Sequence, residues 1–143
     1  MTIVLDTNVL SELLRAAPAP AVLTWVSAQQ AESLHVTAVT QAEMMLGARL
    51  LPDGKRRRAL EAALTAMFED DFAERILPFD SATVPAYVEI VTARRTAGRP
   101  ISQFDAQIAA IARHHRAALA TRNLSNFEGC GVKLLDPWRA AAP

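Results

Sequence analysis

Three carboxylates, Asp6, Glu43 and Asp105, stand where an apolar run gives way to a helical pattern or where a helix opens. Asp6 directly follows Ile3, Val4 and Leu5. Unbroken apolar runs of this kind read as buried central strands, whereas half-exposed strands alternate. Asp6 is therefore expected at the carboxyl end of a parallel strand, where open α/β sheets place their ligands. Glu43 is expected in the first turn of the helix after a second strand, and Asp105 in the first turn of the helix before a fourth. Brought to one sheet edge, such groups repel one another and lose hydration unless a divalent cation neutralises them. Carboxylate oxygens suit Mg²⁺ or Mn²⁺. Each acid also has a plainer explanation. Thr40-Gln41-Ala42-Glu43 and Ser102-Gln103-Phe104-Asp105 have the shape of helix capping boxes, and Asp6 could be a cap or a turn residue.

The surrounding pattern sets the elements that must position these acids. Asn8 or Ser11 is expected to cap a helix over 11–15 that ends before Pro18 and Pro20, and Val22 to Gln30 reads as a second helix. A strand over 34–37 leads to a helix opening at Thr40 and running towards Leu51, closed by the turn signal Pro52-Asp53-Gly54. Lys55 to Phe72 is amphipathic at helical spacing; Ile76 to Phe79 forms a strand ending at Asp80. Helices over 84–96 and 102–116 precede a fourth strand at Leu119 and Ala120, and a last short strand covers 132–135. Strands separated by helices of this length mean βαβ units. The expected fold is one α/β domain over 1–143, with a central parallel sheet of about four to five strands flanked by helices.

Composition sets the outer bounds. The chain has 143 residues, 51% of them hydrophobic and 21% charged, which suits one domain with a real core and excludes disorder. Basic and acidic residues balance at 15 each, which argues against holding nucleic acid by bulk charge but not against cutting it at an acidic site. No apolar stretch is long enough for a membrane span, the start lacks a signal-peptide pattern, and Cys130 stands alone. A cytoplasmic location is expected.

Four segments carry a family likeness: LDTNVLSEL at 5–13, VTQAEMMLGA at 39–48, GRPISQFDAQIAAIA at 98–112 and ATRNLSNFEGCGVKLLDPW at 120–138. In order and spacing they resemble a PIN-domain ribonuclease, in particular the VapC-type toxins of bacterial toxin–antitoxin pairs and their FitB-like branch. The likeness covers nearly the whole chain. It implies a metal-dependent endoribonuclease in which Asp6, Glu43 and Asp105 bind Mg²⁺ (or Mn²⁺), with Glu43 either ligating the metal or positioning the attacking water. Asn123 falls where such proteins place a fourth polar or acidic residue, and here both Asn123 and Asn126 are amides. Thr7, Asn8 and Thr121 are expected to hydrogen-bond the acids or their waters. The likeness also implies an RNA substrate, a homodimer and a cognate antitoxin, within a larger toxin–antitoxin assembly. The antitoxin groove is expected at the helices over 11–15 and 55–72.

Arg99 and Arg122 flank the acidic motifs and are the expected phosphate contacts. Arg56 to Arg58 read as a solvated helix start, and His114 and His115 as structural or surface residues. Base stacking is expected to be minor, because few aromatic residues are available to the solvent. Two other readings compete. A phosphoacceptor with a nucleophilic Asp needs a second acid where Asn8 stands, and a lysine near Thr121 that the chain lacks. A degenerate module that binds RNA or an antitoxin without cutting is favoured only by the two amides.

Overall fold

The computed structural model describes residues 1–139. Five short strands, β1 (Ile3–Leu5), β2 (Leu34–Thr37), β3 (Ile76–Leu77), β4 (Ala118–Ala120) and β5 (Leu134–Leu135), form one sheet in the order β3-β2-β1-β4-β5. Every neighbouring pair is parallel. Seven α-helices are described: α1 (Thr7–Leu13), α2 (Pro20–Ser27), α3 (Ala38–Arg49), α4 (Lys55–Ala66), α5 (Val84–Thr96), α6 (Gln103–His114) and α7 (Leu124–Phe127). The expected α/β architecture is observed. None of the described helices is long and apolar enough to cross a membrane.

β1 is buried on both sides because its residues alternate between two cores. Ile3 and Leu5 join Val9, Leu10, Val22, Val36, Leu64 and Phe68 on one face, under the first helices and α4. Val4 joins Ile90, Ile108, Ile111, Leu119 and Phe127 on the other, under α5 and α6. On α6, Ala106, Ala109, Ala110 and Ala112 are also buried, so the helix can lie close to the sheet. The chain leaves β1 towards β2 on one side and returns to β4 on the other. This makes the carboxyl ends of β1 and β4 the switch point of the sheet, where a crevice opens.

Local differences from the sequence reading have physical causes. The first helix begins at Thr7 rather than Ser11, because Asp6 itself caps it by accepting the Thr7 N–H at 2.8 Å. α2 starts earlier than expected, with Pro20 in its first turn, where a missing N–H costs nothing. α3 begins at Ala38, capped by Thr37, whose Oγ1 accepts the Thr40 N–H at 3.0 Å. The Thr40–Glu43 capping box is therefore not formed, and Glu43 lies in the second turn instead of the first. The Ser102 box is real in its first half, with Ser102 Oγ accepting the Asp105 N–H at 3.2 Å. The amphipathic segment after Lys55 leaves regular helix at Ala66 and widens into a π-turn over Met67–Asp71 that buries Met67 and Phe68. β3 and β5 are shorter than expected, and α7 follows β4 where a loop was expected.

Candidate active site

The site is built outward from Asp6. As the residue after β1 it is fixed by backbone pairing, its N–H donating to Ala120 O at 2.9 Å. Its side chain is 5% exposed, and Oδ2 accepts the Thr121 hydroxyl at 2.8 Å. Asn8 then ties the ring together. Its Nδ2 donates to Thr121 Oγ1 at 3.2 Å and to Asp6 Oδ2 at 3.4 Å, and its Oδ1 accepts the Arg122 N–H at 3.3 Å. The Asn123 N–H donates to Thr121 Oγ1 at 3.1 Å. The buried Thr121 hydroxyl is thus the knot between β1, α1 and the segment after β4.

Glu43 is positioned from the other side. Thr7 Oγ1 donates to Glu43 Oε1 at 3.2 Å and lies 3.1 Å from Thr40 Oγ1, which in turn accepts the Thr37 hydroxyl at 3.3 Å. Asp6, Glu43 and Asp105 all line one crevice of about 540 Å³, together with Thr7, Asn8, Arg122 and Asn123. Sequence reasoning missed four further wall residues, Ser11, Glu12, Arg15 and Trp138. Glu12 is almost fully buried and accepts the Ala19 N–H at 2.8 Å, which holds its carboxyl below the usual range; it pairs with Arg15 at 3.1 Å. Its helical spacing from Arg15 was the available signal.

The three acids share one electrostatic problem. Burial pushes the Asp6 carboxyl above the usual range, against the hydrogen bonds from Thr121 and Thr7, and the Asp105 charge adds to the rise. Burial likewise raises Glu43, opposed by the Thr7 hydroxyl and reinforced by Asp6 and Asp105. Asp105 is raised by burial too, with Ser102 and the Arg94 charge working the other way. Arg94 was also missed by the sequence reading. It is 6% exposed and donates to the backbone carbonyls of Arg99, Asn126 and Glu128 at 2.6, 2.8 and 2.9 Å. It thereby clamps the segment after Asn123 against α5.

Among the described residues, no three His, Cys, Asp or Glu side chains form a closed metal-ligand set. The acids converge on one crevice without closing on one point. Mg²⁺ retains several waters and takes one or two protein carboxylates, so hard oxygen donors spread across a hydrated crevice fit it. Asp6, Glu43 and Asp105 are the residues able to hold such an ion, and Asn123 adds a neutral oxygen on the same wall.

Arg122 lies at the crevice, as expected, but Arg99 does not line it. Arg99 pairs with Glu128 at 3.1 Å and donates to Ser125 O at 3.2 Å, so it stabilises the adjoining loop instead. Of the arginine run, Arg57 and Arg58 pair with Glu61 and Asp53, while Arg56 lines a neighbouring groove. His114 and His115 pack edge to face, with ring centroids 5.0 Å apart, at the far end of α6.

A parallel sheet with one buried and two half-buried acids lining a crevice at its switch point defines the site of an α/β protein. Residues 3–128 match the family model described as PIN domain, and the chain belongs to the PIN-domain family. It is 41% identical over 139 residues to "VapC ribonuclease Y4jK" of Sinorhizobium fredii, covering 97% of this chain and 99% of that one. It is 38% identical over 136 residues to "Toxin FitB" of Neisseria gonorrhoeae, covering 95% of this chain and 98% of that one. A solved structure of FitAB bound to an IR36 DNA fragment superposes with a TM-score of 0.92 at 37% identity, over 99% of both chains.

Because the folded state raises Glu43, its ionised form destabilises the metal-free protein at any pH above the ordinary glutamate range. Glu43→Gln keeps the acceptor for Thr7 and removes the charge. In chelator, urea titration is expected to find this variant more stable than the native chain at pH 8, with the difference vanishing below pH of about 4, where glutamate is neutral in both states. A variant less stable at pH 8 would refute the account in which burial, reinforced by the neighbouring acids, disfavours the Glu43 charge.

Proposed function

We propose that this chain is a divalent-metal-dependent endoribonuclease that hydrolyses RNA phosphodiester bonds as the toxin of a toxin–antitoxin pair. What most supports this reading is that Asp6, Glu43 and Asp105, from three distant segments, line one crevice. Family membership and the ribonuclease and toxin names of its relatives support it independently. Mg²⁺ bound there would supply charge neutralisation at the phosphodiester and activation of water for in-line attack. Asp6 and Asp105 would hold the ion. Glu43, steadied by Thr7, orients the attacking water or accepts its proton. Thr121 and Asn8 fix the Asp6 oxygens, and Asn123 contributes a polar oxygen without charge.

Asp105→Asn is expected to lower cleavage of single-stranded RNA at least about 100-fold, the upper end of what loss of a group supporting a metal costs. Chelation should abolish cleavage and added Mg²⁺ restore it. Equal cleavage by both proteins, or cleavage that survives chelation, refutes the metal-dependent enzyme. RNA binding without cleavage by the native chain would favour the non-cutting module instead.

The partner reading rests on a second hollow. A groove of about 880 Å³ runs between α1, α3 and α4, with Leu14, Met44, Leu60 and Leu64 on its walls, and it shares Thr7, Arg15 and Glu43 with the crevice. An amphipathic antitoxin helix laid there reaches the acids and blocks them. Gly47 lies one turn beyond Glu43 on the same groove, and a Cβ added there meets no neighbouring atom within 4 Å. Gly47→Phe is expected to leave RNA cleavage intact and to weaken inhibition by the cognate antitoxin at least tenfold, about 1.4 kcal/mol. Unchanged inhibition would place the antitoxin elsewhere.

Self-association is the remaining part of the proposal. Val84 and Val88, one turn apart on α5, and Phe104 on α6 leave apolar surface exposed (41%, 52% and 53%). A homodimer burying this surface is expected, as a unit of a larger toxin–antitoxin assembly. Light scattering of the purified chain should give twice its 15.5 kDa mass. A monomer at micromolar concentration would refute it.

A further inference from the structure

Trp138 lines two hollows at once: the acidic crevice and an adjoining groove of about 740 Å³ that runs from Arg122 and Asn123 past Ser125 to Arg139. The indole packs against the core beneath it. Over its ring lies the Arg122 guanidinium, 5.1 Å from the centroid. Two other guanidiniums in this neighbourhood are spent on carboxylates, Arg15 on Glu12 and Arg99 on Glu128, both at 3.1 Å. Arg122 instead has an aromatic ring for a partner and remains exposed. Its backbone is fastened to the catalytic ring through Asn8 Oδ1 at 3.3 Å.

This arrangement places a cation over an aromatic ring on the wall of the crevice that Asp6 lines. A guanidinium plane held over an aromatic ring offers stacking to a further planar group, in addition to its charge. The acids of the adjoining groove do not repel a polyanion strongly. Glu128 is paired with Arg99, and Asp136 accepts the Trp138 N–H at 2.9 Å with Arg139 Nε 3.9 Å away. Single-stranded RNA is recognised largely by splayed bases stacking on aromatic rings and arginine planes.

We infer that Arg122, supported by Trp138, is a base-stacking shelf that seats one nucleobase of single-stranded RNA next to the phosphate being cut. The inference rests on the proposed nuclease function and assigns Arg122 a role in substrate register beyond phosphate attraction. It also replaces the expectation that stacking is minor. Trp138 reaches the site through the return of β5 beside β4, which linear sequence does not mark.

The test uses a single-stranded RNA hexamer and a set of hexamers, each lacking one base. Affinities are measured on the Asp105→Asn protein, with native-chain cleavage of the intact hexamer run alongside. One abasic position is expected to bind about 5- to 150-fold more weakly than the intact hexamer, the range for stacking of a single base. Adding Arg122→Lys keeps the charge and removes the plane, so that penalty should fall to about the level of the other positions while the salt dependence persists. Trp138→Phe retains a ring and should retain the penalty, which controls for folding. A penalty unchanged by Arg122→Lys, or no single sensitive position despite cleavage of the intact hexamer, overturns the shelf alone. A sensitive position without any native cleavage supports the shelf and overturns the nuclease. Neither binding nor cleavage overturns both.

Discussion

The hydrogen bond from the Thr121 hydroxyl to Asp6 joins residues 115 positions apart and spans the ends of the two central strands. Without a bond of this kind, the Asp6 charge would be buried at the edge of an apolar sheet with little to replace its lost hydration. Two further donors, the Thr7 N–H and the Asn8 amide, converge on the same carboxylate. Even so, burial prevails and the carboxyl sits above its ordinary range. A carboxylate placed for stability alone would not be left in that condition beside two others. The fold tolerates local repulsion here because its two cores, on either face of β1, are extensive enough to hold the strand ends in register.

Much of this was legible in the sequence, and for identifiable reasons. The apolar triplet before Asp6 reads as a buried strand because both faces of β1 are covered. Ser102 and Asp105 read correctly because a cap and its third helical residue are local. At Asp105 capping and site geometry coexist, so the competing explanations were never exclusive. The start of α3 was misread at Thr40 because strand β2 passes into α3 with no intervening turn residue, and a strand's last threonine carries no mark of being a cap. Arg94 was invisible for a different reason. Its position in the Arg94-Arg95 pair suggests a solvated helix end, yet its partners are carbonyls contributed from Arg99, Asn126 and Glu128, which only the tertiary fold brings together.

The cations repeat the lesson in reverse. Sequence proximity to an acidic motif put Arg99 and Arg122 on an equal footing, but the fold separates them. Arg99 follows a glycine bend and is drawn to Glu128, while Arg122 is anchored through its backbone to Asn8. A guanidinium becomes available to a ligand when no carboxylate of its own chain is within reach, and linear distance does not report that. The balanced net charge of the chain therefore says little about the field inside the crevice, where acids crowd and the nearby arginines are largely paired.

The crevice and the apolar groove share Thr7, Ser11, Arg15 and Glu43, so they are one continuous surface with two chemistries. Thr7 is the hinge of that surface: its hydroxyl holds Glu43 and contacts Thr40, and its N–H caps onto Asp6. Any occupant of the groove that dries the Glu43 side chain strengthens the effect that already raises its pKa, and moves it towards the neutral form. A neutral Glu43 neither attracts a cation nor accepts a proton. An occupant of the apolar side would in this way act on the acidic side by desolvation as well as by steric exclusion, with no change of backbone conformation.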